Sequence, residues 1–248
     1  MSLGLLRALL ITDPLIILAT IVLGSMNLFV SLFDEGGYKQ VSIARFWSKL
    51  LMKIAGVHLT VRGLEKIDAN GSYVFVCNHL SYMDTPAVLG TIPVQFRFLA
   101  KKMLFHIPFL GYHLTRAGHI PVPRENPRAA LKAMAEAARI IQERKISVLI
   151  FPEGGRSLTG LKEFKEGAAY IAIRAGVPVV PLALKGTLEV LPMHSLNVRP
   201  GKVSLTVGDP IPTSGLSMHD RAELTRELRE RVAEMLGESS AMKAAAHS

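Results

Sequence analysis

The residues best equipped for chemistry lie in two clusters, each directly after an apolar run. Asn78-His79-Leu80-Ser81-Tyr82-Met83-Asp84 follows Tyr73–Cys77. His79 and Asp84 are five positions apart. On one regular helix that spacing sets them about 140° apart, so they cannot meet. They can meet if His79 stands in a loop and the helix starts later. Thr85-Pro86 predicts such a start, with Thr85 as N-cap and Pro86 at the first helical position. Asp84 then folds back towards His79, and a carboxylate that fixes an imidazole tautomer suits base catalysis. A second reading makes Ser81-x-x-Asp84 a capping box with no catalytic part; it places Pro86 where its ring would disturb the first turn. Both readings stand on these residues alone.

Phe151-Pro152-Glu153-Gly154-Gly155-Arg156-Ser157 follows the apolar run Val148–Phe151. The glycines permit close backbone approach to a ligand. Arg156 offers a fork for phosphate and Glu153 an acceptor for a hydroxyl; the same letters also make a plain turn. Gly118-His119-Ile120-Pro121-Val122-Pro123-Arg124 ends a proline-stiffened extended segment on a guanidinium. Val177-Pro178-Val179-Val180-Pro181-Leu182-Ala183 reads as core, and its prolines predict an edge strand or a pocket wall.

The elements that position these clusters read as an alternation past residue 56. Strands are predicted at His58–Arg62, Tyr73–Cys77, Phe96–Ala100, Ser147–Phe151, Val177–Leu184 and Val203–Val207, with helical patterns between them. Asn126-Pro127 opens a helix carrying Leu131, Met134, Ala138 and Ile141. Another covers about Phe164–Arg174 and stops at Gly176. A third begins near Ser217 with Leu224, Leu228, Val232 and Met235 on one face. The pattern predicts an α/β fold: a mixed β-sheet flanked by helices, with the site at strand–loop–helix junctions. The expected division is residues 1–56 as membrane-associated helices, 57–237 as the catalytic domain and 238–248 as a frayed tail.

The N-terminal pair is predicted to anchor the chain to a membrane. Pro14–Phe33 is 20 residues without a charge, about 30 Å as a helix, which fits one hydrocarbon core. Gly24, Ser25, Asn27 and Ser31 dilute it, so it can span or lie within one leaflet. Ser42–Val57 sets Ile43, Phe46, Trp47, Leu50, Leu51 and Ile54 at helical spacing against Arg45, Lys49 and Lys53. This reads as an interfacial helix with a Trp anchor, or as a core-facing helix. Lys39, Arg45, Lys49 and Lys53 follow the apolar run and only Arg7 precedes it. That asymmetry predicts a catalytic body on the cytoplasmic side of the inner or plasma membrane.

Composition narrows the partners. The chain has 248 residues, 49% apolar and 20% charged, which excludes wholesale disorder. Its formal charge of +9 calls for an anionic partner. The single cysteine, Cys77, excludes an intrachain disulfide and a Cys-based zinc site. The histidines lack metal-ligand spacing, so no metal and no cofactor are expected. Nucleic acid is not expected either: there is no basic run with interleaved aromatics.

The four clusters in this order resemble the glycerolipid acyltransferase family typified by 1-acylglycerol-3-phosphate acyltransferase. Its N-H-x-x-x-x-D block is matched by Asn78, His79 and Asp84, and its G-x-x-x-x-x-R block by Gly118 and Arg124. The F-P-E-G-x-R-S block is matched by Phe151–Gly154, Arg156 and Ser157, and V-P-x-x-P by Val177, Pro178 and Pro181. Ala100–Phe105 and Phe164–Ala168 are similar to family sequence too, and the likeness covers roughly residues 45–210. The family commonly has Thr where Gly155 stands, and the residues before Arg124 depart from its pattern; both changes concern the acceptor.

The resemblance implies transfer of a fatty acyl group from acyl-CoA or acyl-carrier protein to the hydroxyl of lysophosphatidate, at a membrane. His79 would be the general base and Asp84 its orienting carboxylate. Lys101, Arg124 and Arg156 would hold the phosphate beside Gly154, and Glu153 would contact the glycerol. Alternatives are another lysolipid acceptor, a lysolipid or thioester hydrolase, and a basic membrane-binding module. The hydrolase lacks a G-x-S-x-G elbow. The binding module leaves the His–Asp and Glu–Arg clusters unexplained.

Overall fold

The computed structural model describes residues 3–157, 160–193, 195 and 197–238. In chain order, α1 (Leu3–Arg7) passes through a π-helical turn, Ala8–Thr12, into α2 (Asp13–Val30), and α3 (Tyr38–Ile54) returns alongside it. Then come β1 (Val57–Arg62), β2 (Val74–Cys77), α4 (Asp84–Leu89), β3 (Phe96–Lys101), α5 (Leu110–Arg116), β4 (Ile120–Val122), α6 (Pro127–Arg144), β5 (Ser147–Ile150) and α7 (Gly167–Ala175). The last elements are β6 (Val179–Lys185), α8 (Thr187–Val190), β7 (Gly201–Val207) and α9 (Arg221–Leu236).

The strands form one sheet in the order β1-β7-β6-β2-β5-β3-β4. β6, β2, β5, β3 and β4 run parallel, while β7 is antiparallel to β6 and parallel to β1. Five C-terminal strand ends therefore open on one edge, the usual place for a site in such a sheet. β2 and β5 are buried on both faces, which explains their unbroken apolar runs. Phe75 and Cys77 pack on one side with α3 and α4; Val74 and Val76 pack on the other with α6, α7 and α9.

Most expected elements are present, and the differences have physical causes. Ile120–Val122 is a further strand, at the sheet edge, where Pro121 is tolerated. Pro181 lies not on an edge strand but in β6, between β2 and β7. Its carbonyl accepts from Gly208 N at 2.8 Å. Its missing N–H faces the same side, just past Val207, the last paired residue of β7, so the regular ladder stops there. Asn126 caps α6 as expected, accepting from Ala129 N at 3.0 Å, and Gly176 closes α7 with φ 68°.

The N-terminal helices are built into the body. Val41, Leu51, Met52 and Ala55 of α3 belong to the same apolar cluster as β2, so packing continues through residue 56. Arg45 donates to the carbonyls of Ile92, at 2.8 Å, and Val94. Trp47 has a partner within the fold: its indole N–H donates to Thr20 Oγ1 at 3.0 Å, fastening α3 to α2. Asn27 Nδ2 donates to Gln40 O at 2.9 Å and Arg116 to Ser31 O, fixing the far end of α2. Gly4–Val30 is the one helix among the described residues long and apolar enough to cross a membrane, and little of it is buried. Of the expected tail only Glu238 is described; its carboxylate accepts from Leu161 N at 3.3 Å. Residues 239–248 lie outside the described residues.

Candidate active site

β2 delivers its next two residues onto the open sheet edge. The Asn78 amide is clamped to β6, with Nδ2 donating to Leu184 O at 2.9 Å and Oδ1 accepting from Leu184 N at 2.7 Å. It thus extends the strand pairing by side chain and fixes where His79 begins. The His79 backbone is held at both ends by the loop after β5. Its N–H donates to Glu153 Oε1 at 2.7 Å, and its carbonyl accepts from Ser157 N at 2.9 Å. Its ring stacks on Phe151, with centroids 4.0 Å apart and planes 16° apart.

Asp84 does fold back to His79. Its Oδ2 lies 2.7 Å from His79 Nδ1 and accepts from Leu80 N at 2.7 Å and Ser81 N at 2.8 Å. Asp84 is wholly buried and His79 is 9% exposed. α4 begins at Asp84 itself, with Met83 in the N-cap place and no side-chain cap. Thr85 is therefore not the N-cap and Pro86 is third in the helix, still among the residues whose N–H has no helical acceptor. Asp84 accepts the Ser81 N–H while Ser81 Oγ accepts from Met83 N at 3.1 Å, so one carboxylate holds both the turn before α4 and the His79 ring.

Burial lowers the His79 pKa below its ordinary 6.5; Asp84 opposes this by hydrogen bond and charge, and Arg156 and Arg124 reinforce it. The imidazole is therefore neutral near pH 7. With Nδ1 held by Asp84, Nε2 is the nitrogen left to accept a proton.

A cationic loop adjoins the pair. Arg124, just beyond β4, donates to Gly154 O. The Arg156 guanidinium lies 3.8 Å over the Tyr82 ring, and its buried Nε has no hydrogen-bond partner. Among the described residues neither arginine is paired with a carboxylate. Gly154 has φ +73°, and a Cβ there would stand 3.0 Å from Lys165 Cε and 3.1 Å from its Nζ. Lys162 Nζ donates to Arg156 O at 2.9 Å. Lys162 and Lys165 thus join the cluster, although the sequence singled out neither as a site residue. Lys101 ends β3 opposite Val122, on the same edge.

Glu153 is 7% exposed, and both its oxygens are engaged: Oε1 by His79 N and Oε2 by Lys162 N at 3.0 Å. The buried Cys77 thiol is pushed well above its ordinary pKa, first by burial and then by Asp84 and Glu153, so it stays protonated. Among the described residues no three His, Cys, Asp or Glu gather as a metal site.

Beside Thr85 an apolar cavity of about 660 Å³ runs between α2, α3 and the start of α5. Its wall includes Ile21, Leu28, Leu89, Phe98, Phe109 and Leu114. Phe98 lies flat against Phe151 at 6.4 Å, and Phe151 against His79, so stacked rings separate the base from the cavity.

Residues 58–185, more than half of the chain, match the family model described as Acyltransferase. The chain is 36% identical over 166 residues to a 1-acyl-sn-glycerol-3-phosphate acyltransferase of Cocos nucifera, covering 66% of this chain and 53% of that one. It is 31% identical over 212 residues to 1-acyl-sn-glycerol-3-phosphate acyltransferase LPAT1, chloroplastic, of Arabidopsis thaliana, covering 84% and 57%. The chain thus spans somewhat over half the length of these relatives. It also superposes on the crystal structure of the 1-acyl-sn-glycerophosphate (LPA) acyltransferase PlsC from Thermotoga maritima. The TM-score is 0.79 at 27% identity, covering 96% of this chain and 98% of that one.

Proposed function

We propose, from the premise that this chain belongs to the acyltransferase family, that it moves a fatty acyl group from a thioester to the hydroxyl of lysophosphatidate, giving phosphatidate. The observation that carries this reading is the neutral, Asp84-held imidazole of His79 beside two guanidinium groups, Arg124 and Arg156, that form no ion pair among the described residues. The named relatives support the choice of acceptor. The donor is acyl-CoA or acyl-carrier protein.

His79 Nε2 takes the proton of the acceptor hydroxyl as its oxygen attacks the thioester carbonyl. A C–O ester bond forms, the C–S bond breaks, and the proton passes to the leaving sulfur. Asp84 holds the ring tautomer and stabilises the imidazolium. Arg124, Arg156 and Lys165 bind the phosphate, with Lys101 at the rim, and charge-assisted forks suit that task. Glu153 is a positioning residue here, because its oxygens hold the His79 backbone and the following loop. The apolar cavity takes the acyl chain. α2 touches the body at both ends and at its middle, so it lies along the domain within one leaflet. The lysine and arginine residues after it favour the cytoplasmic face.

The test uses protein purified in detergent, with lysophosphatidate and acyl-CoA, then acyl-carrier protein. Wild type forms phosphatidate with at least one donor, and His79→Ala stays folded but loses turnover. Acyl transfer by His79→Ala at the wild-type rate refutes the base assignment. A clear preference for another lysolipid in competition refutes the acceptor.

A further inference from the structure

The segment between β3 and α5 presents apolar side chains where a soluble loop would present polar ones. Met103 is 55% exposed, Ile107 45%, Leu110 41% and Tyr112 48%. Phe109, at 77%, is the most exposed large apolar side chain among the described residues. Its backbone is held in a rare conformation, φ 62° and ψ −54°, with Leu110 N donating to Pro108 O at 2.7 Å. That is a γ-turn of the rarer hand, a strained form that persists only where the surroundings impose it. Gly111 packs against the Phe105 carbonyl so closely that a Cβ there would collide with it. The fold therefore accepts strain in order to hold a phenyl ring outwards.

Two further observations say what covers it. Pro108, Phe109 and Leu110 line the apolar cavity opposite Ile21, Gly24 and Leu28 of α2, and Arg116 ties α5 to Ser31. The patch is thus continuous with the exposed apolar face of α2 and the turn that follows it, where Phe29 is 65% and Phe33 70% exposed. Charge points the same way. Residues 85–124 contain no Asp or Glu but five Lys and Arg, of which Lys101, Lys102, Arg116 and Arg124 are not fully buried. An apolar wedge flanked only by cations matches an anionic lipid surface.

We propose that Met103–Tyr112 is a second membrane contact, with Phe109 inserted in the hydrocarbon, so that the apolar cavity opens onto the bilayer between this turn and α2. This rests on reading α2 as lipid-facing, and the test separates the two. Trp47 is the only tryptophan, so Phe109→Trp in a Trp47→Phe background reports on the turn alone. The full chain is added to vesicles of brominated phosphatidylcholine and phosphatidylglycerol, and vesicle flotation reports overall association. Flotation with at least twofold quenching of the introduced indole's emission is expected. Flotation without quenching overturns the second contact and leaves α2 as the anchor. Failure of wild type to float removes both. Emission that shifts with protein concentration but not with lipid assigns the patch to a second copy of the chain and overturns the proposal. Phe109→Cys carrying a bimane label, with nitroxide lipids, repeats the reading without touching Trp47; the buried Cys77 is shielded from the label.

Discussion

Replacing Asp84 by Asn changes one atom of the site and separates orientation from charge. Asp84 Oδ2 accepts from Leu80 N and Ser81 N, and an amide oxygen can accept both bonds. The loop therefore keeps its shape, and a change of only a few degrees in Tm is expected. The buried negative charge facing His79 is lost. A charge-assisted bond in such a place contributes ~1.5–3 kcal/mol, and loss of the fixed tautomer adds a term of similar size. Together these remove ~3–5 kcal/mol of transition-state stabilisation, or about 10²- to 10⁴-fold in kcat. The pH profile supplies a sign. Asp84 raises the His79 pKa against burial, whereas Arg156 lowers it. The neutral ring is the active form, so wild-type kcat/KM rises through an acid limb below 6.5 and is flat at neutral pH. In Asp84→Asn that limb moves to lower pH; in Arg156→Gln it moves to higher pH. Steady-state kinetics from pH 5 to 8, with folding followed by circular dichroism, measures both. A folded Asp84→Asn enzyme with more than about a tenth of wild-type kcat, or limbs moving the same way in the two variants, refutes the argument.

Three other outcomes follow from the same geometry. Arg124→Gln and Arg156→Gln raise the acceptor KM by about 10- to 100-fold each, with little effect on the donor KM, because each removes ~1.5–3 kcal/mol of charge-assisted phosphate binding; initial-rate measurements with varied acceptor check this. Gly154→Ala strains a backbone at φ +73° and crowds Lys165, so thermal unfolding should register a loss of ~1–2 kcal/mol. His119 is held neutral with its pKa lowered to about 3, first by burial and then by His113 and Arg97. A depressed base binds its proton more readily in the unfolded chain, so stability is full above 6.5 and falls as pH drops towards 3. The slope reaches about 1.4 kcal/mol per pH unit, and in His119→Gln it should flatten between pH 6.5 and 4.

The His79–Asp84 contact was legible as one of two readings, the one that required a loop before the helix, and Pro86 marked the helix start to within two residues. The helix begins at Asp84, two residues before Pro86, and the Asp84 carboxylate turns back to the loop N–H groups of Leu80 and Ser81. β2 and β5 were legible as unbroken apolar runs. β4 was not, since three edge residues with an exposed proline carry no periodicity. The role of Glu153 was not legible, because its partner, the His79 N–H, is 74 positions away in sequence. Lys162 and Lys165 were not legible as site residues either, because their neighbours there, Arg156 O and Gly154, are set by tertiary contact. The bond from Trp47 to Thr20 was not legible, because the two lie 27 positions apart in sequence.

The grip of Glu153 and Ser157 on the backbone of His79 bears on how relatives can be recombined. Segments 78–84 and 151–157 meet as a single mechanical part, although three strands and the helices between them separate the two along the chain. A chimaera that imports one segment from a relative and keeps the other would set the imidazole on a foreign footing. Exchange of the two together should transplant the catalytic geometry intact, leaving the lipid-facing helices free to be varied independently.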